Sequence, residues 1–402
     1  MKIGIYLEGS PEMGGGFFQS LKASLLFFDI KNYNSQIELI ITENKTREYL
    51  LKTQIKNKLF KLSKISAYTS QLFEINSFHD FFNKVKINHP FYNFIKKNNY
   101  DLIVFLGPSP MSKFCKDIGF ISNIWDLDHK KNSQFPEHNL NNNYENKEKL
   151  FKEIVTRAFK IVVPHHSNKI DLINFYKTTE DKINIQNFIP MLPTIYKEKS
   201  KNTDYNSIYD KFKLPKEKKI IFYPAQFWAH KNHKYIIDVA KILKTKKNDK
   251  YLFIFCGGNK GNFIYVKDLI LKNQLTDYLK IFTFLSDDEV ISLYKNCNAV
   301  VMPTFCGPTN LPIYESFFFK KIIFYTKNLI PNDPINEHLI EIDITSPKDL
   351  YEKLDICFDK PKIASMTQIN FEYYELVCNE ENFKINYEKM FDEFSYLINR
   401  WK

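Results

Sequence analysis

The chain has 402 residues, 44% hydrophobic and 26% charged, with a formal net charge of +11. That length implies two to three domains and more than one buried core, with the composition of a soluble globular protein. The lysines are dispersed and no nucleic-acid-binding motif accompanies them, so the surplus charge points away from nucleic acid and towards an anionic membrane surface or a phosphate-bearing substrate.

No apolar run approaches the ~18 residues of a membrane span, and the first ten residues turn polar too soon for a signal peptide, which suits a cytoplasmic protein that can rest on the inner face of the membrane. Six cysteines lie far apart with no CxxC pair. Buried, reduced thiols follow, with neither a disulfide framework nor a zinc site. Cys306, in a loop, is the one expected within reach of solvent.

In chain order, residues 2–7 read as an apolar strand, followed by Gly14-Gly15-Gly16 and a helix over 17–28, a unit of the phosphate-cradling kind. Gln19 occupies the third position of GxGxxG, so the dinucleotide fingerprint is incomplete, although Glu43, after a strand over 37–42, stands where a ribose-binding acid would. Residues 46–99 carry a helical pattern whose phenylalanines (Phe78, Phe81, Phe82, Phe91, Phe94) read as core. Strands over 101–106 and 121–125 follow, the second opening into DLDHKKNSQFPEHN from Asp126. An asparagine-rich linker at 139–146, a helix over 147–158 and a strand over 161–163 lead to His165-His166. Adjacent residues there point to opposite faces and read as packing groups. A helix over 168–175 and a strand over 185–189 complete the first half. Residues 190–215, polar and proline-bearing, read as an interdomain linker.

The second half alternates strand and helix: strand 219–224 with the loop AQFWAHKNH, helix 233–244, strand 251–256 with Gly257-Gly258, helix 263–273, strand 279–284, and helix 287–296 with Asp287 and Asp288 as N-cap residues. Strand 299–302, helix from Leu311, strand 322–325 and helices over 347–359 and 382–401 follow. This alternation predicts an α/β fold with parallel sheets, whose ligands sit beyond the carboxyl ends of the strands. Lys231, Gly258 and the Cys306 loop all fall at such ends.

The stretch 299–325, AVVMPTFCGPTNLPIYESFFFKKIIFY, carries the chemistry. A buried strand, a turn-rich loop and a helix opening at Leu311-Pro312 offer unpaired N–H groups and the positive end of a helix dipole to a phosphate. Asn310 is a good N-cap type and Pro312 is tolerated in the first turn. Glu315, one turn in, is placed to accept hydrogen bonds from sugar hydroxyls, as the acid of a dinucleotide fold does from a ribose.

The segment FCGPTNLPIYES resembles the nucleotide-binding motif of the retaining glycosyltransferases of family 4. That resemblance implies a GT-B fold: two Rossmann-like domains facing each other across a cleft, with the C-terminal helix crossing back to the first domain. It divides the chain into an acceptor domain at 1–195, a nucleotide-sugar-binding domain at 196–380 and a returning helix at 381–402. The family brackets this motif with two glutamates; Glu315 matches the second and Gly307 stands in place of the first, which contacts the donor sugar. The family's arginine and lysine, which neutralise the leaving diphosphate, correspond to Gln226 and Lys231, with Asn232 at the following glycine. WDLDHxxxxxFPE is similar to the family's DLQH…FPE segment. Trp125 takes the place of a sugar-contacting histidine, which makes His129, with Asp126, the candidate for that role.

The resemblance therefore implies catalytic roles for His129, Asp126, Lys231 and Gln226, and donor contacts from Gly15, Gly16, Gly258, Gly307, Thr309, Asn310, Leu311 and Glu315. It implies retaining, metal-independent transfer of a sugar from a nucleotide diphosphate sugar, with no cofactor, to a glycan or lipid-linked acceptor in bacterial surface polysaccharide synthesis. Three alternatives remain open on sequence alone: a catalytically silent GT-B protein that binds nucleotide or glycan, an NAD-linked oxidoreductase suggested by Glu43 and the Gly14–Gly16 loop, and a metal-binding DxD at Asp126–Asp128.

Overall fold

The computed structural model describes residues 1–50, 57–61, 72, 84–85, 87–201, 203–205, 208–307 and 310–400. It resolves into two compact units, one of Met1–Trp125, Glu145–Ile189 and Glu380–Lys402, the other of Asp126–Tyr144 and Pro190–Asn379. Each is an α/β unit built on a parallel sheet.

Among the described residues the first unit has strands β1 (Ile3–Leu7), β2 (Ile37–Ile41), β3 (Asn57–Leu59), β4 (Leu102–Phe105), β5 (Gly119–Asn123), β6 (Lys160–Val163) and β7 (Ile183–Ile185), in the order β3-β2-β1-β4-β5-β6-β7. Every pairing is parallel. The central strands are nearly continuous apolar runs because helices cover both faces. The helix Glu380–Ile398 closes this unit. It lays Phe383, Tyr387 and Phe391 around Phe27 of the helix Gly15–Phe27, with ring centroids 4.6–6.0 Å apart. Its Phe394 lies so near the backbone of Gly119 that a Cβ there would stand 2.3 Å from Cζ.

The second unit has β8 (Lys219–Pro224), β9 (Tyr251–Cys256), β10 (Leu279–Phe282), β11 (Ala299–Met302), β12 (Ile322–Thr326) and β13 (Ile340–Ile342), ordered β10-β9-β8-β11-β12-β13 and again parallel. No helix among the described residues is long and apolar enough to cross a membrane.

Several elements differ from the sequence reading. The helical pattern over 46–99 is interrupted by β3, and Phe78, Phe81 and Phe82 lie outside the described residues. The strand expected at 185–189 is β7, displaced towards the N-terminus. The linker contains a helix, Leu192–Lys199, with Pro193 in its first turn where no N–H is needed, and Ile195 buried beside Tyr205 and Ile291. Ser286, not Asp287 or Asp288, caps the helix Asp287–Asn296, through a reciprocal capping box with Glu289. The helix Lys360–Val377 and β13 were not anticipated; the buried face of that helix is Thr367, Asn370 and Tyr374, too polar to give an apolar period. Residues Asp126–Tyr144, placed by chain order in the first half, group with the second unit because their contacts are made there.

Candidate functional site

In the second sheet β8 lies against β11, with Ile221 opposite Ala299 and Phe222 opposite Val300, while the chain itself proceeds from β8 to β9 on the other side. The loops leaving the carboxyl ends of β8 and β11 therefore emerge together at a topological switch point, the position where open α/β sheets bind ligands. They are stitched to each other: Phe305 N–H donates to the His230 carbonyl at 2.8 Å, and the buried Thr304 hydroxyl donates to the same carbonyl at 3.3 Å. Thr326 at the end of β12 donates to the Thr304 carbonyl at 2.7 Å.

Lys231 ends the short turn Ala229–Lys231, followed by Asn232 at φ 53°, a left-handed conformation that asparagine tolerates better than most residues. Tyr223 donates its hydroxyl to the Lys231 carbonyl and fixes the turn. The Lys231 ammonium donates to Asn310 Oδ1 at 2.8 Å, and Asn310 Nδ2 in turn donates to Tyr325 Oη at 2.7 Å and to the Cys306 carbonyl at 3.2 Å. Asn310 thus stands at the N-cap position of the helix Leu311–Phe318, but its side chain does not cap it, which corrects the expected role. It orients the lysine instead, and among the described residues no side chain caps that helix start. Burial lowers the Lys231 pKa, opposed by the nearby Cys306, Asp128, Asp126 and Glu137.

Gly307 is packed so that a Cβ would stand 2.8 Å from Tyr325 Oη and 3.0 Å from Leu329. No side chain fits there without displacing the tyrosine that holds Asn310. Thr309 lies outside the described residues. Gln226 accepts at Oε1 from the Trp228 indole N–H at 3.0 Å, which leaves its amide N–H groups as the donors it can offer a ligand. Gly258 faces open space, whereas a Cβ on Gly257 would stand 2.2 Å from the Ala225 carbonyl oxygen, so that glycine permits the close approach of two loops.

Glu315 is 8% exposed and accepts from the Tyr294 hydroxyl at 2.6 Å through Oε2. Burial pushes its carboxyl up to about 7, the Tyr294 hydrogen bond opposing and Asp287 adding to the shift.

The segment Asp126–Tyr144 is fastened over these loops. Glu137 Oε1 accepts from the His230 backbone N–H at 3.0 Å and from His230 Nδ1. Burial raises the Glu137 pKa, but these hydrogen bonds outweigh it and bring the carboxyl down to about 2. Burial lowers the His230 pKa, so a neutral ring with its proton on Nδ1 satisfies both partners. Phe135 packs on Phe305 with centroids 5.3 Å apart, and Asn132 donates to the Phe305 carbonyl at 3.5 Å. Cys306 is buried, its Sγ 3.9 Å from His138 Nε2, contrary to the expectation of a solvent-reachable thiol; all six cysteines are buried and none forms a disulfide.

Of the two candidates in this segment, Asp126 accepts from the Asp128 N–H at 3.1 Å and opens the short helix Asp128–Lys131. His129 is fully buried, its ring edge-on to Tyr144 at 5.6 Å. Gly15 and Gly16 begin the helix Gly15–Phe27 in the first unit, where Trp125 covers Gly16 and Gly107 and donates to the Leu106 carbonyl at 2.9 Å. Trp125 is therefore a packing residue of that unit.

The sequence reading named Asp128 only within a metal-binding DxD and passed over Glu137, Tyr294 and Tyr325. Glu137 belonged to the quoted FPE signature and was legible as a functional position. Nothing in the spacing of Tyr294 and Tyr325 connects them to Glu315 or Asn310, because the link is tertiary.

Residues 204–370 match the family model of Glycosyl transferases group 1. The chain is similar in fold to Anabaena HepE, solved in complex with UDP and glucose, at TM-score 0.71 and 13% identity, covering 98% of this chain and 100% of that one. It is also similar to a glycosyltransferase from Rickettsia africae (TM-score 0.67, 18% identity, 98% of each chain) and to sucrose-phosphate synthase from Thermosynechococcus elongatus (TM-score 0.71, 11% identity, 98% and 100%). No curated protein sequence matches. The shared fold is GT-B, and with the group 1 match it supports an enzyme of the glycosyltransferase class.

Proposed function

We propose that the protein is a retaining glycosyltransferase that takes a sugar from a nucleotide diphosphate sugar held by the second unit and passes it, without a metal cofactor, to a glycan or lipid-linked acceptor in surface polysaccharide assembly. The observation that carries this reading is the Lys231–Asn310 hydrogen bond at the β8/β11 switch point, beside a helix start that the side chain of its N-cap residue Asn310 does not cap. A leaving diphosphate develops negative charge as the glycosidic bond breaks. Groups already oriented at that position stabilise it without further reorganisation. Lys231 supplies the charge, the first N–H groups of the helix Leu311–Phe318 supply the dipole, and the amide of Gln226 adds a neutral donor in place of a second cation. Glu315, with Oε2 taken by Tyr294, keeps Oε1 to accept from the ribose hydroxyls. Gly258 allows a nucleotide to approach the backbone closely.

HepE, solved with UDP and glucose, makes uridine diphosphate sugars the first donors to try. The test is a panel of UDP-, GDP- and ADP-sugars, scored for release of nucleoside diphosphate and followed by NMR assignment of the product anomer. Release from one donor with the anomeric configuration kept supports the reading. An inverted product refutes retention, and no release from any donor in the presence of mixed glycan and lipid acceptors refutes transfer.

A further inference from the structure

Glu137 has no part in the roles assigned above, yet two donors of the residue beside Lys231 converge on it. In the turn Ala229–Lys231 the N–H groups of Lys231 and Asn232 find acceptors close by, in the carbonyls of Trp228 at 3.2 Å and Ala229 at 3.1 Å. The N–H of His230 does not. The carbonyl three residues back, that of Phe227, accepts instead from the Asn262 N–H at 3.0 Å, and a buried backbone donor without a partner is costly. Glu137 supplies the acceptor from 93 residues away in the chain, taking the His230 backbone N–H at 3.0 Å and Nδ1 of the same residue on one oxygen, Oε1. The His230 carbonyl is engaged as well, by the Phe305 N–H at 2.8 Å and the Thr304 hydroxyl at 3.3 Å. His230 is thus held on its carbonyl side by the loop after β11 and on its N–H side by Glu137. The local sequence explains how the acid reaches it. Phe135 packs against Phe305 at 5.3 Å and the His230 ring at 6.2 Å, and Pro136 opens the short helix Pro136–Asn139 with its φ already set, so the next side chain meets the turn. The side chains of His230 and Glu137 are 14% and 8% exposed, and water competes little for the contact.

We infer that Glu137 is a positioning residue for sugar transfer: by holding both donors of His230 it fixes the turn that carries Lys231, and so the place of the ammonium against the leaving diphosphate. This rests on the reading that the diphosphate sits on Lys231. Tyr223 and Asn310 hold the lysine at its carbonyl and at its ammonium, but neither touches the peptide between Ala229 and His230. That peptide is what Glu137 holds. Without the carboxylate the His230 N–H is left unpaired in a buried place, which the turn relieves by moving towards water. A displacement of about 1 Å in a group that meets developing charge lowers turnover more than it lowers binding. Glu137 itself touches no substrate in this role.

The experiment is a double-mutant cycle of Glu137→Leu and Lys231→Met, with Glu137→Gln beside it. Turnover is followed, with mixed glycan and lipid acceptors, as nucleoside diphosphate release from the donor that wild type uses best among UDP-glucose, UDP-galactose, UDP-N-acetylglucosamine and GDP-mannose. Calorimetry measures UDP binding, and thermal melts confirm that each variant is folded. Expected for Glu137→Leu is a fall of roughly 10–100-fold in kcat, with KM and UDP affinity within about threefold of wild type. Glu137→Gln, whose amide oxygen still accepts from both donors, should keep turnover within about fivefold. The double variant decides between positioning and general support of the fold: acting through the lysine, Glu137→Leu should cost no more than about twofold further once Lys231→Met is in place. A loss in the Lys231→Met background as large as in wild type, an unchanged kcat in Glu137→Leu, or a loss confined to KM overturns the positioning role and leaves the donor site standing. Should Glu137→Leu not fold, Glu137→Asp, which keeps the charge and draws the carboxylate back by one methylene, takes its place in the cycle with the same outcomes. Wild-type turnover in Lys231→Met, or no release from any of these donors by wild type, overturns the diphosphate reading and this role with it.

Discussion

Lys231 is half-buried and Glu315 is buried, and their surroundings make opposite demands on them. Lys231 is lowered by burial but lies among Cys306, Asp128, Asp126 and Glu137, which favour its charged form, so it is available to meet a diphosphate. Replacing it with methionine should lower turnover by roughly 10²–10³ while binding of the nucleotide weakens less, as expected for a group that acts mainly on developing charge. Steady-state kinetics against UDP titration separates the two, and wild-type turnover would contradict the role. Glu315 holds its proton up to about 7 in the folded protein, against 4.5 ordinarily. Between these values the folded state carries a proton that the unfolded chain has released, so this group's contribution to stability falls as pH rises from 4.5 towards 7. Glu315→Gln should flatten the melting temperature over that range. Parallel curves for variant and wild type would show that the carboxyl is ionised throughout. Both residues were legible in the sequence from motif and spacing; Asp128 was visible but undistinguished, and burial is what sets it apart from Asp126 two positions away.

At the level of elements, the two loops of the candidate site depend on glycines for different reasons, and the difference is measurable. Gly257 faces the backbone oxygen of Ala225, which cannot yield, whereas Gly307 faces the end of the Tyr325 side chain. Gly257→Ala should cost more than about 3 kcal/mol of stability, and no nearby side-chain change should restore it. Gly307→Ala should cost about 1–3 kcal/mol, with partial recovery when Tyr325→Phe removes the opposing oxygen. Denaturant titration of the three variants and the double variant decides this, and additive losses in the double variant would contradict the geometry. The strands and helices of the second unit were read with little error because apolar parallel strands alternate with amphipathic helices bounded by glycine, proline and capping residues. Reading failed where packing overrides local pattern: Ser286 displaced two aspartates as the cap, and the helix Lys360–Val377 buries a polar face. The turn at Asp126–Tyr144 looked like a continuation of the first half because its attachment to His230 and Phe305 spans many residues of chain.

At the scale of the molecule, chain order and compact unit do not coincide. The last helix, Glu380–Ile398, belongs to the first unit, where Lys22 pairs with Glu380 at 2.6 Å, Lys160 with Glu393 at 2.9 Å, and Tyr387 donates to Asn123 at 3.1 Å. Deleting residues 380–402 should uncover Phe27 and its neighbours and lower the melting of the first unit while leaving that of the second unchanged. Differential scanning calorimetry reads this, and a uniform shift of all transitions would contradict it. Two parallel sheets were legible in the alternation of elements, and the return of the last helix followed from the family resemblance; the transfer of the segment Asp126–Tyr144 to the second unit was not legible, since its contacts are long-range. The central claim is that the second unit holds a nucleotide diphosphate at the β8/β11 switch point. Hydrogen–deuterium exchange with and without UDP tests it most directly: the account predicts slower exchange at residues 225–232, 257–262 and 303–318, lost in Lys231→Met, and protection confined to other segments, or none at saturating nucleotide, would contradict it.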